Sequence, residues 1–583
     1  MKLNHIEEYN KWLNDPYIDE TTKQELLKIK DDENEILDRF YQGLPFGTAG
    51  MRGIIGAGLN RMNSYVVEIT TQALAEVLIE EGEENKEKGV AIAYDCRHFS
   101  KEFAWLSASI LAGNGIRTYI YDGMRPTPEL SFTVRHLKCA SGIMITASHN
   151  PKNYNGYKLY NSEGSQILSD TAEKIAYKKE HMNGFASVKK MNTETAIEKG
   201  LIKVLGEETD RVYIDLVKGL TLIDPAIPKD INIVYTPLNG TGSKLMRQVL
   251  AESGFTNVYI VKEQQDEDPD FTTVEYPNPE DPKAFDYALR YGKKHDADLL
   301  LATDPDADRL AVMVKMKNGE YQFLTGNQTA ALLISYILAS RKERGILPAN
   351  GAMIKSIVTG ELGDEIAESY GVATFETLTG FKNIFAKANE FERTGKYEFL
   401  LGYEESIGYN AGTFVRDKDA ISSGMLICEA CAYYKSKGLT LYDALEELQK
   451  RFGYFGEKLM NIVLEGYEGQ RIINATMEKW RTSYPAEMNG SKLVYKVDYK
   501  TGIKETIADG KTEKVDVDYS DVLKYKFDNG CWYAIRPSGT EPKLKVYLYS
   551  KGTSKQNAQD NIEALERIIT QELIEAGAIR KER

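Results

Sequence analysis

ADLLLATDPDADR, residues 297–309, is an apolar run that ends abruptly on three aspartates. Ala297–Thr303 reads as a buried strand, bounded by turn residues. Asp304, Asp306 and Asp308 follow at alternate positions, and Pro305 stops a helix from continuing there. Carboxylates crowded on a tight turn repel one another unless a cation joins them. Oxygen-only ligands suit a hard ion, Mg²⁺ first and Mn²⁺ next. The spacing lacks the central glycine and twelfth-position glutamate of an EF-hand. A solvated acidic turn is the bland alternative, and the buried strand before it and Arg309 after it argue for metal.

Similar apolar runs recur along the chain: GVAIAYD (89–95), RTYIYDG (117–123), INIVYTP (231–237), NVYIVKE (257–263) and YEFLLGYEE (397–405). Amphipathic helical patterns lie between them, such as SYVVEITTQALAEVLIEEG (64–82) and FAWLSASILAGNG (103–115). Strand and helix alternating at this spacing predict α/β units with mixed, largely parallel sheets, whose ligands sit beyond the strands' carboxyl ends. Residues 1–40 read as a helical arm. Toward the C-terminus the texture changes to antiparallel strands, KLVYKVDYK, DVDYSDVLKYKFDNGCWYAIRP and KLKVYLYSK. A helix with Ile562, Leu565, Ile569 and Leu573 on one face follows, which predicts an α+β domain.

The chain has 583 residues, 42% of them hydrophobic, enough for several domains. Its formal net charge of -14 disfavours nucleic acid and anionic membranes as partners. No run is long and apolar enough for a membrane span, and the polar N-terminus lacks a signal core, so a cytoplasmic location is expected. Of the five cysteines, only Cys428 and Cys431 form a C-x-x-C, within ISSGMLICEACAYYKSKG. That stretch reads as a buried helix, with no second pair at zinc spacing.

Against this acidic background, loops able to hold an anion stand out. RPSGTEP (536–542) follows the strand CWYAI and combines an arginine, two hydroxyls and a glycine, the makings of an anion nest. GYEESIG (402–408) offers a carboxylate and a hydroxyl, in Glu404 and Ser406, for the hydroxyls of a sugar. FGTAGMRG (46–53) is a tight loop ending on Arg52, without the Gly-Lys-Ser/Thr of a Walker A loop. LTGFK (378–382) ends on Lys382. Each of these alone is also an ordinary strand-end turn.

TASHNPKNYNGYK, residues 146–158, carries the sharpest question, because Ser148 follows the apolar run SGIMI. A hydrolase would need a G-x-S-x-G elbow and a His/Asp pair, and the surroundings offer neither. A structural turn or N-cap serine is the plain reading. The third is a phosphoryl carrier. Phosphoserine brings nearly two negative charges and three acceptor oxygens, which the aspartate site and cationic clamps would offset.

TASHNP, DPDADR, GYEESIG and RPSGTEP occur in that order, joined by FGTAGMRG, TPLNGTG (236–242) and VRDKDA (415–420). Over residues 40–583 the chain closely resembles the α-D-phosphohexomutase superfamily, the phosphoglucomutases and phosphomannomutases. The N-terminal arm and FGTAG resemble its longer members, which include bacterial α-phosphoglucomutases and the phosphopentomutase and bisphosphate-synthase branch. The resemblance implies three α/β domains and a fourth, α+β domain around a central cleft, with limits near 1–206, 207–322, 323–452 and 453–583.

It implies that Ser148 carries the phosphate and that Asp304, Asp306 and Asp308 bind one Mg²⁺, completed by the Ser148 phosphate. Lys158 and His149, in one loop with Ser148, would assist proton transfer. Lysine among cations and a metal can lose proton affinity and act as base, or stay charged and help electrostatically. Glu404 and Ser406 would hold sugar hydroxyls. Arg536, Ser538, Gly539 and Thr540 would hold the non-reacting phosphate, with Arg52, Arg309 and Lys382 in support. The partners implied are sugar phosphates, glucose 1-phosphate and glucose 6-phosphate first, with glucose 1,6-bisphosphate as intermediate and activator. Pentose or mannose phosphates, bisphosphate synthesis, and idle sugar-phosphate binding are the alternatives. The chain departs from some relatives at Tyr409, where a histidine occurs, and at Ala307, where glycine is common.

Overall fold

The computed structural model describes residues 4–48, 50–464, 466–537 and 543–579. They form two compact units. The first runs up to Thr329 and takes in Leu400–Gly402 and Ser406–Thr440; the second comprises Ala330–Phe399, Tyr403–Glu405 and the chain from Leu441 onward.

The first unit begins with three helices, His5–Asn14, Glu20–Lys28 and Glu33–Phe40, as the sequence predicts. Asn4, Asp19 and Asp32 cap them by accepting backbone N–H bonds from their first turns. Their apolar faces bury Tyr9, Trp12, Leu26 and Phe40 in a cluster with Tyr65 and Phe185.

The first sheet contains β1 (Met51–Ile54), β2 (Val90–Tyr94), β3 (Thr118–Tyr121), β4 (Ser141–Ile145), β5 (Tyr154–Asn161) and β6 (Ile202–Leu205). Their order is β1-β5-β4-β2-β3-β6. β4, β2, β3 and β6 run parallel; β5 is antiparallel to β4, and β1 pairs antiparallel with β5. β2 and β4 are buried throughout, because both faces of the sheet are covered. On β2, Val90, Ile92 and Tyr94 pack into one core, and Ala91 and Ala93 into another with Leu130 and Val134.

The second sheet, in order β11-β10-β9-β7-β8, is built from β7 (Ile233–Thr236), β8 (Val258–Ile260), β9 (Leu299–Thr303), β10 (Leu310–Lys315) and β11 (Tyr321–Leu324). β9 is parallel to β7 but antiparallel to β10. The aspartate turn is therefore the bend of a hairpin.

β12 (Gly351–Ser356) and β13 (Ala373–Thr377) of the second unit are parallel, and the strand order runs β13-β12-β14, where β14 is Glu398–Glu404. Ile354, Phe381, Phe385, Phe391 and Phe399 form its core. A short β15 (Gly408–Asn410) follows in the chain and belongs to the first unit, as does the helix Ala420–Ser436. Cys428 and Cys431 are buried in that helix, and all five cysteines are free thiols.

The last sheet uses β16 (Tyr454–Val463), β17 (Glu487–Met488), β18 (Ser491–Asp498), β19 (Ile503–Thr506), β20 (Thr512–Lys514), β21 (Leu523–Phe527), β22 (Trp532–Pro537) and β23 (Lys543–Gly552). It is ordered β16-β23-β22-β21-β18-β19-β20, with β17 on β18. Ile562, Leu565, Ile569 and Leu573 of the helix Lys555–Glu575 are buried in its core. This is the expected α+β domain.

Two local expectations need correction. DVDYSDV (516–522) is not a strand, and pairing starts only at Leu523. Lys158 does not share a loop with Ser148 and His149. It lies within β5, paired with Met144 on β4. Strand alternation sends Tyr157 and Leu159 into the core and Lys158 to the opposite face.

Among the described residues no helix is long and apolar enough to cross a membrane.

Candidate active site

The first unit brings Ser148, His149, Lys158, Arg52, Arg309 and the three aspartates together. Ser148 follows β4, and its hydroxyl donates to Asp304 Oδ2 at 2.5 Å. Its φ is 51°, in the left-handed region, a conformation that costs an L-residue roughly 1–2 kcal/mol. The Ser148 N–H donates to Thr146 Oγ1 at 2.7 Å. His149 Nδ1 lies 3.2 Å from the Ser148 hydroxyl. Burial, then the charges of Arg309 and Arg52, push the imidazole well below its usual pKa.

One carboxylate oxygen from each of Asp304, Asp306 and Asp308 lies within 4.8 Å of the other two, and all three residues are buried. Asp306 accepts from Lys158 Nζ at 2.6 Å and from Thr127 Oγ1 at 2.8 Å. Lys158 is 3.5 Å and Lys418 3.3 Å from Asp308 Oδ2. Burial, then the charges of Asp306 and Asp308, push the Asp304 carboxyl upward. Burial opposes ionisation of Asp306 too, but Lys158 and its hydrogen-bond donors hold that carboxyl below the usual range. Asp306 Oδ1 and Asp308 Oδ1 are buried without a hydrogen-bond partner. Unpaired buried carboxylate oxygens are costly, and a hard divalent cation is the group that fits this all-oxygen set.

The sequence around the turn explains its shape. TPLNGTG backs it: Thr241 donates to the Pro305 carbonyl through its N–H at 2.8 Å and its hydroxyl at 3.0 Å. A Cβ on Gly240 would lie 2.5 Å from Pro305 Cα, so only glycine allows that approach. Ala307 has φ 50°, the reason glycine suits that position. Arg309 donates through its backbone N–H to Asp304 at 3.0 Å and through Nη1 to Glu280 at 2.8 Å. Arg52, on β1, donates to the Asn150 side chain at 2.7 Å.

The remaining candidates fall elsewhere. Ser406 lies in the turn after β14, within the first unit. Glu404 and Lys382 are in the second unit and converge on one loop. Glu404 Oε1 accepts from the Gly380 N–H at 2.5 Å, and Lys382 opens the helix Phe381–Thr394, where burial lowers its amine pKa. Arg536 is on β22, opposite Lys545. Ser538, Gly539 and Thr540 lie outside the described residues. Tyr409 is buried and donates to the Gly326 carbonyl at 3.2 Å.

Sequence reasoning passed over Arg97, Thr127 and Lys418 as site residues. Lys418 sits inside VRDKDA, a stretch that could have flagged it. Arg97 follows the end of β2 in DCRHFS, where a strand-end loop is itself a signal. Thr127 carries no local mark.

Residues 43–183, 211–318 and 325–452 match the alpha/beta/alpha domains I, II and III of phosphoglucomutase/phosphomannomutase, and 491–564 match its C-terminal domain. A phosphoglucomutase of Staphylococcus haemolyticus is 39% identical over 543 residues, covering 90% of this chain and 96% of its own length. One from Staphylococcus aureus RF122 is 37% identical over 530 residues, covering 91% and 93%. The solved open form of parafusin, a phosphoglucomutase from Paramecium, has the same fold, with a TM-score of 0.64 at 19% identity over 92% of this chain and 95% of that one. The chain therefore belongs to the phosphoglucomutase/phosphomannomutase family of the α-D-phosphohexomutases, and it is of the bacterial phosphoglucomutase type.

Proposed function

We propose that this enzyme interconverts glucose 1-phosphate and glucose 6-phosphate through phospho-Ser148, with glucose 1,6-bisphosphate formed on the way. The observation that carries the reading is the Ser148 hydroxyl hydrogen-bonded to a buried aspartate triplet with two unpaired oxygens, in a chain of this family.

Asp304, Asp306 and Asp308, with a phosphate oxygen on Ser148, would hold one Mg²⁺, which when bound offsets the phosphoserine charge and polarises its phosphorus. The sugar hydroxyl attacks phosphorus, a new P–O bond forms, and the bond to Ser148 Oγ breaks. The hydroxyl proton leaves with the help of His149 and Lys158, the lysine acting either as base once uncharged or as a charged electrostatic support, and the freed Ser148 oxygen takes a proton in turn. The bisphosphate reorients, and its other phosphate returns to Ser148 by the same bonds in reverse. Glu404 and Ser406 hold sugar hydroxyls; Arg536, Ser538, Gly539 and Thr540 hold the phosphate that does not react; Arg52, Arg309 and Lys382 support them. Functional domains of 1–206, 207–322, 323–452 and 453–583, and a cytoplasmic location, go with this reading.

The test is ³¹P NMR of the protein with Mg²⁺, a trace of glucose 1,6-bisphosphate, and glucose, mannose and ribose 1-phosphates in one tube. Selective conversion of the glucose signal into glucose 6-phosphate is expected. Preferential loss of ribose or mannose 1-phosphate would overturn the substrate while keeping the chemistry. No change in folded, phosphorylated protein would overturn the mutase reading in favour of idle binding.

A further inference from the structure

Arg97 is assigned no contact with the sugar phosphate, yet it holds the backbone that carries Ser148. Its Nη2 donates to the Ser148 carbonyl at 2.5 Å and to the Asn150 carbonyl. Its Nη1 donates to the Pro151 carbonyl at 2.8 Å and the Tyr154 carbonyl at 3.1 Å. A guanidinium carries four N–H groups on its terminal nitrogens, so each finds a carbonyl in this one segment.

The guanidinium is itself fixed. Arg97 Nε lies 3.3 Å from Asp95 Oδ2, and both side chains are fully buried. Asp95 accepts from the Ser100 and Thr146 hydroxyls at 2.6 Å each. Thr146 Oγ1 in turn accepts the Ser148 N–H. The Phe271 ring lies 5.1 Å from the guanidinium carbon. The left-handed backbone at Ser148 persists only if its surroundings over-determine it, and Asp95, Thr146 and Arg97 supply that from both sides of the residue.

We propose that Arg97 is the positioning residue of the Ser148 loop. Its fork grips the four carbonyls, holds Ser148 left-handed with its oxygen toward Asp304, and thereby sets the rate of phosphoryl transfer. The catalytic part rests on the phosphoserine reading above. Lysine cannot take the role, because a single nitrogen with three N–H groups cannot span four carbonyls.

The test compares wild type, Arg97→Lys and Arg97→Met by steady-state kinetics with glucose 1-phosphate and Mg²⁺. Thermal unfolding and amide hydrogen exchange over 148–154 accompany the kinetics. In both variants kcat should fall about 100-fold, as a misplacement on the order of 1 Å can cause. KM should stay within about threefold of wild type. Exchange in the loop should quicken about tenfold or more, while β2 and β4 keep their protection. Wild-type kcat in a folded Arg97→Lys, or unchanged loop exchange, would overturn the proposal. If Arg97→Met fails to fold, Arg97→Lys carries the same test alone. Wild-type protein without mutase activity would overturn the phosphoserine reading and the catalytic part with it, and the exchange comparison would then decide the grip on its own.

Discussion

Two charge clusters differ in how well they are satisfied. Around Asp304, Asp306 and Asp308, carboxylates are packed against one another and two oxygens have no hydrogen-bond partner. In the second unit, Lys355 is fully enclosed, bonded to Asp364 and to the Thr359 and Gly360 carbonyls. Beside it Lys524 donates to the Ile357 carbonyl at 2.8 Å and to Glu376 at 3.3 Å, and Lys526 pairs with Glu361. None of these side chains leaves a buried polar atom unpaired among the described residues. A satisfied network of matched charges fixes structure. A cluster whose carboxylates crowd one another and keep open oxygens is built to receive something.

The contrast breaks most sharply at Ser148. Ser148→Ala removes the phosphate carrier and should cut mutase turnover at least about 10³-fold in a coupled assay, with little change in unfolding temperature. Wild-type-like turnover would end the carrier reading.

Lys355→Met should leave the partly exposed Asp364 and the Thr359 and Gly360 carbonyls without their cation and cost about 2–3 kcal/mol in urea unfolding, equally with Mg²⁺ and with EDTA. Asp304→Asn should behave in the opposite way. Wild type should gain about 2.7 kcal/mol at Mg²⁺ a hundredfold above its dissociation constant, and the variant should gain almost none. In EDTA the variant should be no less stable than wild type, because a carboxyl opposed by burial and by like charges is gone. Equal Mg²⁺ stabilisation of both proteins would remove the metal from this turn.

The smallest effect belongs to an exposed network, where Glu252 binds Arg211 and Lys218. Hydrogen bonds from Arg211, then Lys218, lower its pKa from 4.5 to about 2. Its contribution is therefore full above pH 4.5 and fades as pH falls toward 2, where the folded protein takes up the proton. Glu252→Gln should cost less than about 1 kcal/mol at pH 7, and the difference should vanish at the acid end of a pH series of urea unfolding curves.

The candidate site was legible wherever a short stretch carried its own signal. Asp304–Asp308 and Ser148 follow apolar strands, and both turn out to sit just beyond a strand's end. The N-terminal helices, the buried C-x-x-C helix and the C-terminal amphipathic helix were legible for the same reason, since apolar period and caps are local. NYNGYK has the polar and glycine-rich look of a loop, so the expected loop position of Lys158 rests on weak local propensity. Pairing with β4 made it a strand instead, as tertiary context overrides weak propensity.

By itself the sequence determined the α/β and α+β architecture and the residue types of the site, because strand patterns, turn residues and ordered motifs are written locally. Only the tertiary structure decided which charges meet. Lys158 reaches Asp306 across 148 residues of chain, and a one-residue slip of β5 would turn it to the other face. Lys418 meets Asp308, and the four hydrogen bonds of Arg97 close on the Ser148 loop, through the packing of separate elements. Such contacts depend on sheet register and helix placement, which no local run of residues specifies.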